Sequence, residues 1–109
     1  MSEIWIDMVP GIKRRTLVSG DKMMQILVTL EAGSELPEHH HPHEQISYVM
    51  HGLVRFFVNG EQRDVQAGEY VLLPGGVPHA VRALKQSAVL DTFSPPREDM
   101  LAQDRAAQS

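Results

Sequence analysis

The chain contains no cysteine. That excludes disulfides, thiolate metal ligands and cysteine nucleophiles together, so any metal has to be held by nitrogen and oxygen. No stretch approaches the roughly 20 continuous apolar residues of a spanning helix. The segment from Met1 to Arg15 is broken by Asp7, Pro10 and Gly11 before its basic cluster. The expectation is a soluble, cytoplasmic protein with no membrane segment and no signal peptide. Long basic runs are also missing, and the formal net charge is −4. Neither nucleic acid nor an anionic membrane surface has an electrostatic footprint here, which leaves small molecules and proteins as partners. Sustained helical periodicity is absent until the C-terminus.

What is present is regular punctuation. Short apolar or β-branched runs alternate with turn residues, which reads as all-β. The candidate strands are Ile4–Met8, Lys13–Val18, Met23–Glu31, Gln45–Met50, Leu53–Val58, Glu61–Val65, Tyr70–Leu73, Ala80–Ala83 and Ala88–Phe93. Asn59-Gly60 is the clearest hairpin signal, since both residues tolerate the positive φ of a type I′ turn. Ser19-Gly20-Asp21 is a second turn. Many short strands with turns about every ten residues predict a sandwich or a barrel. After Phe93, Ser94 is placed as a helix cap with Pro95 in the first turn, and Glu98 to Ala107 as a short terminal helix. With 109 residues of which 42% are hydrophobic, the chain suffices for one core, and residues 1–109 are read as a single domain.

Four of the six histidines fall in Glu38-His39-His40-His41-Pro42-His43-Glu44-Gln45. If this segment leads into a strand, His39 and His41 share one face and His40 takes the other, because side chains alternate with period two. Two imidazoles on one face make half of an N/O metal site. His79 lies after the Pro74-Gly75-Gly76 turn, too distant in sequence for spacing alone to join it to the cluster.

These residues resemble the two motifs of the cupin superfamily. Gly33, His39, His41, Gln45 and Gly52 match the first motif at every spacing, with Gln45 where most cupins carry glutamate. Gly68, Pro74, Gly76 and His79 match the second, whose final asparagine is replaced by Ala83. The resemblance implies a double-stranded β-helix, or jelly-roll barrel, with motifs over 33–52 and 68–83. It also implies one divalent metal ion on His39, His41, Gln45 and His79. The metal's identity is open, since nickel, zinc, manganese, iron and cobalt all accept imidazole and amide ligands. A site of three neutral imidazoles and one amide leaves the ion its full charge and so favours an anionic ligand. It also lacks the carboxylate of the two-His-one-carboxylate iron triad. His40, His43 and His51 are expected to be bystanders, with His43 a neighbour of the site. Glu44 is expected to face away from it.

Pro42-His43-Glu44-Gln45 and the ending Asp91-Thr92-Phe93-Ser94-Pro95-Pro96-Arg97-Glu98-Asp99 resemble, more narrowly, the small pectin- and alginate-degradation cupins that linearise 4,5-unsaturated monouronates. Gly11-Ile12-Lys13-Arg14-Arg15 is similar as well. That likeness implies catalytic roles for Asp91, Phe93 and Arg97, a small anionic sugar-like substrate, and a homodimer paired through N-terminal strands, with Ile4, Trp5 and Ile6 as interface or core. Asp91 would take or shuttle the anomeric proton, and Arg97 or Arg15 would hold the carboxylate. Read without the resemblance, Asp91 is equally a strand-end carboxylate, Phe93 is core and Arg97 is a surface arginine. The barrel hosts unrelated chemistries, so a small dioxygenase, another isomerase and a non-catalytic binding module stand as alternatives.

Overall fold

Alternation sets the strands. In the computed structural model, which describes residues 3–108, Met24, Ile26, Val28 and Leu30 are buried along one strand while the residues between them are only half-covered. Ten strands and one helix result: β1 Ile6–Val9, β2 Ile12–Ser19, β3 Met24–Leu30, β4 Glu35–His39, β5 Glu44–His51, β6 Leu53–Val58, β7 Glu61–Gln66, β8 Tyr70–Leu73, β9 His79–Ala83, β10 Ser87–Ser94 and α1 Glu98–Gln108. They form a six-stranded sheet, β1-β2-β3-β10-β5-β8, and a four-stranded sheet, β4-β9-β6-β7. This is the two-sheet architecture that the cupin resemblance implies. The sheets enclose one apolar cluster in which Val49, Val54, Val65 and Ala83 are fully buried. No helix among the described residues is long and apolar enough to cross a membrane.

The predicted hairpin joins β6 to β7, with Asn59 at φ 51° and Gly60 at φ 83°. Three expectations need correction. The strand β4 is absent from the sequence reading, because Glu35-Leu36-Pro37-Glu38-His39 has no β-branched residue and a proline inside it. An edge position tolerates both, and β4 is the edge of its sheet. The first strand sits later than expected, at Ile6–Val9. Ser94 does not cap the helix: it ends β10, its hydroxyl donates to the carbonyl of Lys22, and α1 begins only at Glu98.

The helix is anchored by a buried charge cluster in addition to Met100, which joins the apolar core. Arg14 on β2 is 1% exposed. Its guanidinium donates to Asp104 Oδ1 at 3.0 Å, to the Met100 carbonyl at 3.1 Å and to Gln103 Oε1 at 2.8 Å. Thr16 adds a hydrogen bond to the other oxygen of Asp104 at 2.6 Å. Removing one partner of a buried pair leaves an uncompensated charge, at a cost of about 3 kcal/mol or more. Asp104→Ala is therefore expected to lower Tm by about 10 °C or more, since 1 kcal/mol corresponds to roughly 4–8 °C in a domain near this size. Differential scanning calorimetry checks this, and an unchanged Tm would show that the clamp contributes nothing.

Candidate metal centre and its cavity

Three elements converge on the histidines. His39 ends β4 and His79 begins β9, and the two are register partners across that ladder. His41 lies beyond the end of β4, so the turn that follows, rather than strand alternation, brings it round. Motif two holds this turn in place. The amide of Gly76 donates to the His41 carbonyl at 2.8 Å, and Gly75 lies so close to the Pro42 carbonyl that any side chain there would collide with it. The glycine is required for this backbone approach. The ring centroids are 4.3 Å apart for His39 and His79, 5.0 Å for His41 and His79, and 6.0 Å for His39 and His41. One nitrogen from each lies within 4.8 Å of the other two, so the three histidines could hold a metal ion.

Each ring is oriented by the backbone. Nδ1 of His39 faces the Pro37 carbonyl at 2.9 Å, Nδ1 of His41 the His43 carbonyl at 3.1 Å, and Nδ1 of His79 the Val77 carbonyl at 2.9 Å. A carbonyl only accepts, so every Nδ1 carries a proton, and in a neutral ring Nε2 then keeps its lone pair, the tautomer a metal ligand needs. Burial, the Arg97 charge and the His79 ring hold His41 down to about 4. Burial likewise lowers His79. Both are neutral near pH 7.

Two observations test whether a cation fits. His79 Nε2 is buried and has no hydrogen-bond partner. His41 faces an acceptor on each side, the His43 carbonyl and, at 3.0 Å from Nε2, the Gln45 amide oxygen. A neutral imidazole has one N–H and cannot satisfy both. A second proton would satisfy them, but burial opposes it, whereas a metal ion among these atoms relieves the acceptor contact and fills the orphaned lone pair. The residues fit the group.

Gln45 is buried on β5 beside Leu73 of β8, and Glu44 before it is exposed, as alternation requires. From Gln45 a hydrogen-bonded line runs inward. Its amide Nε2 donates to Ser47 Oγ at 3.0 Å, and Ser47 Oγ donates to Asp91 Oδ1 at 2.6 Å. Asp91 keeps some accessible area because it borders the cavity, yet protein surrounds it. Desolvation raises its carboxyl to about 6, against the lowering effect of hydrogen bonds from Ser47 and Gln45. Phe93, two residues on along the same face, is 2% exposed and meets His41 edge-on at 5.7 Å. The Arg97 guanidinium lies over the Phe93 ring at 5.1 Å. Asp99 grips it through Nε at 3.0 Å and Nη2 at 2.8 Å, which leaves the Nη1 edge for another anion.

His39, Gln45, Ser47, His79, Asp91 and Arg97 all line one cavity of about 50 Å³. By this measure one water needs roughly 10–15 Å³, so the space takes several. Arg15, an alternative holder of a substrate carboxylate, is on the other side of the sheet. It alternates with buried Arg14, pairs with Glu3 at 3.1 Å and lies over Trp5. His40 and His51 are exposed, while His43 is a neighbour of His41 at 5.4 Å. The sequence reading passed over Ser47 and Asp99. Period two from Gln45 would have found the first; nothing local marks the second.

Comparison with known proteins follows the same lines. The cupin domain family matches residues 26–93. The pectin degradation protein KdgF of Dickeya dadantii is 34% identical over 99 residues, which span 89% of this chain and 90% of that protein. Among solved structures, KdgF from Halomonas sp. superposes with a TM-score of 0.85 at 34% identity, covering 90% of this chain and 91% of its own. An RmlC-like cupin from Shewanella frigidimarina gives 0.84 at 32% identity, covering 89% and 87%.

Proposed function

Since the chain belongs to the cupin domain family, we propose that it is a metal-dependent isomerase opening the ring of 4,5-unsaturated monouronates to the open-chain 5-keto-4-deoxyuronate. The observation that carries this reading is Asp91, a buried acid two hydrogen bonds from Gln45, which itself faces His41, on a cavity shared with Arg97. The pectin-degradation name of a relative at 34% identity supports the substrate class.

His39, His41, Gln45 and His79 would hold one divalent ion, which when bound supplies Lewis acidity toward the substrate's oxygens. The chain's own groups do the rest. The free edge of Arg97 holds the uronate carboxylate. Asp91, ionised above about pH 6, accepts the proton of the anomeric hydroxyl. The bond between carbon 1 and the ring oxygen breaks, carbon 1 becomes an aldehyde, carbon 4 takes a proton from water as carbon 5 becomes a ketone, and Asp91 returns its proton to water, so none is gained or lost overall. No oxidant is consumed. Phe93 packs against His41 and beneath Arg97, making a dry wall to the site.

The deciding experiment follows loss of the enol-ether absorbance with catalytic amounts of metal-loaded protein, with and without oxygen, against spontaneous ring opening. Acceleration independent of oxygen is expected. Turnover that needs oxygen would identify a dioxygenase, and binding without acceleration a binding module. We place the enzyme in the cytoplasm as a homodimer, to be checked by light scattering. Lys13 and Arg15 lie over Trp5, at 5.3 Å and 5.5 Å from its ring, and leave it 39% exposed. The larger exposed apolar surface lies on β5 and β8, at Ile46, Met50, Tyr70 and Leu72.

A further inference from the structure

The two ends of a glutamine amide are nearly the same size, so shape does not fix which one faces a ligand. At Gln45 the choice matters, because the oxygen can bind a cation and the NH2 group cannot. The oxygen faces His41 Nε2 at 3.0 Å and the NH2 group faces Ser47 at 3.0 Å. The reverse orientation has an attraction of its own. Turned over, the NH2 group would donate to His41 Nε2 and cover that lone pair, leaving the oxygen to demand a proton from Ser47.

Ser47 has one proton, and it points at Asp91. Ser47 is 1% exposed. It follows Gln45 by two residues on β5, so both share the inner face, and it is the register partner of Asp91 on β10. The 2.6 Å contact to Asp91 is within the length of a charge-assisted O–H···O⁻ bond, roughly twice as strong as a neutral one. Turning the amide over would take that proton from the buried carboxylate, and would also swap the Gln45 NH2 group that Asp91 accepts from for an oxygen. The proton stays with Asp91, Ser47 presents only lone pairs to Gln45, and the amide keeps its oxygen toward the histidines.

We propose that Ser47 is a positioning residue whose hydroxyl, donating to Asp91 and accepting from Gln45, fixes the amide oxygen of Gln45 toward the metal site. This rests on the reading of Gln45 as a metal ligand. It also accounts for the amide in place of glutamate. A carboxylate at position 45 would set two acceptors against the single proton of Ser47.

The test uses cobalt(II) as the probe, because its visible spectrum reports the number and type of donors. The wild type, Ser47→Ala and Ser47→Thr are titrated with cobalt at pH 7.5, and Tm is recorded for each apo protein. Partners that orient metal ligands are worth about 10- to 100-fold in affinity. Ser47→Ala is expected to bind cobalt at least about 10-fold more weakly, with an altered spectrum. Ser47→Thr, which keeps the hydroxyl and can direct its methyl toward the cavity that Ser47 borders, should restore affinity and spectrum. Wild-type affinity and spectrum in Ser47→Ala would overturn the proposal while leaving the metal site intact. So would a loss in Ser47→Thr equal to that in Ser47→Ala. If Ser47→Ala fails to fold, Ser47→Val, which has the shape of Ser47→Thr without the hydroxyl, takes its place on the same terms. A wild type that takes up no cobalt would overturn both this proposal and the metal site beneath it.

Discussion

Asp91→Asn is expected to cut turnover of a 4,5-unsaturated monouronate by about 100-fold or more, with metal content and substrate affinity nearly unchanged. Asparagine keeps the shape and retains an oxygen for the Ser47 hydroxyl, so the line from Ser47 to Gln45 survives. What disappears is the ability to take a proton. The pH profile gives a second check with a defined sign. A carboxyl raised to about 6 is protonated, and inactive as a base, below that value. For the wild type, kcat/KM should therefore fall as pH drops through about 6 and level off above it. In Asp91→Asn the residual rate should lose this limb. A fully active variant would move the base to another group.

His79→Ala is expected to leave a folded barrel that retains less than a tenth of the wild-type metal after dialysis, read by elemental analysis. His79 lies at the start of β9 beside its register partner His39, and its Nε2 has no protein partner to lose. The apolar cluster is formed by other residues. Truncation therefore removes a ligand at modest cost to the fold. Full occupancy in the variant would overturn the ligand assignment. Acidification should act on the same site. With His41 held down to about 4 and His79 also lowered, protons compete for these lone pairs only below the ordinary imidazole value of 6.5. Metal retained at pH 6 should be released as pH approaches 4.

Much of this architecture was legible because strand alternation and turn chemistry are local. The Asn59-Gly60 hairpin and the alternation along β3 and β5 depend on neighbouring residues alone. The histidine set was legible only through motif resemblance, since nothing between Gly33 and His79 states that two distant turns will touch. The structure supplies the reason: Gly75 and Gly76 seat one turn against Pro42 and His41. What escaped the sequence is the chemistry that acts at a distance. Arg14 reads as one more basic residue in Lys13-Arg14-Arg15, and becomes a buried clamp only when α1 folds across it. Strand β4 escaped for the opposite reason. Its residues argue against a strand, and it forms because β9 is there to pair with it.

That strand has a dynamic consequence. β4 is a short, largely solvated edge with a proline and a break in register between Leu36 and His39, the kind of element that opens locally well before a barrel core does. Its last residue is a proposed ligand, and the partner of that residue in the ladder is another. A bound ion would act as a rivet through this edge of the four-stranded sheet. Amide protons of β4 should then exchange markedly more slowly in the metal-loaded protein than in the apo form, while those of β3 and β10 change little.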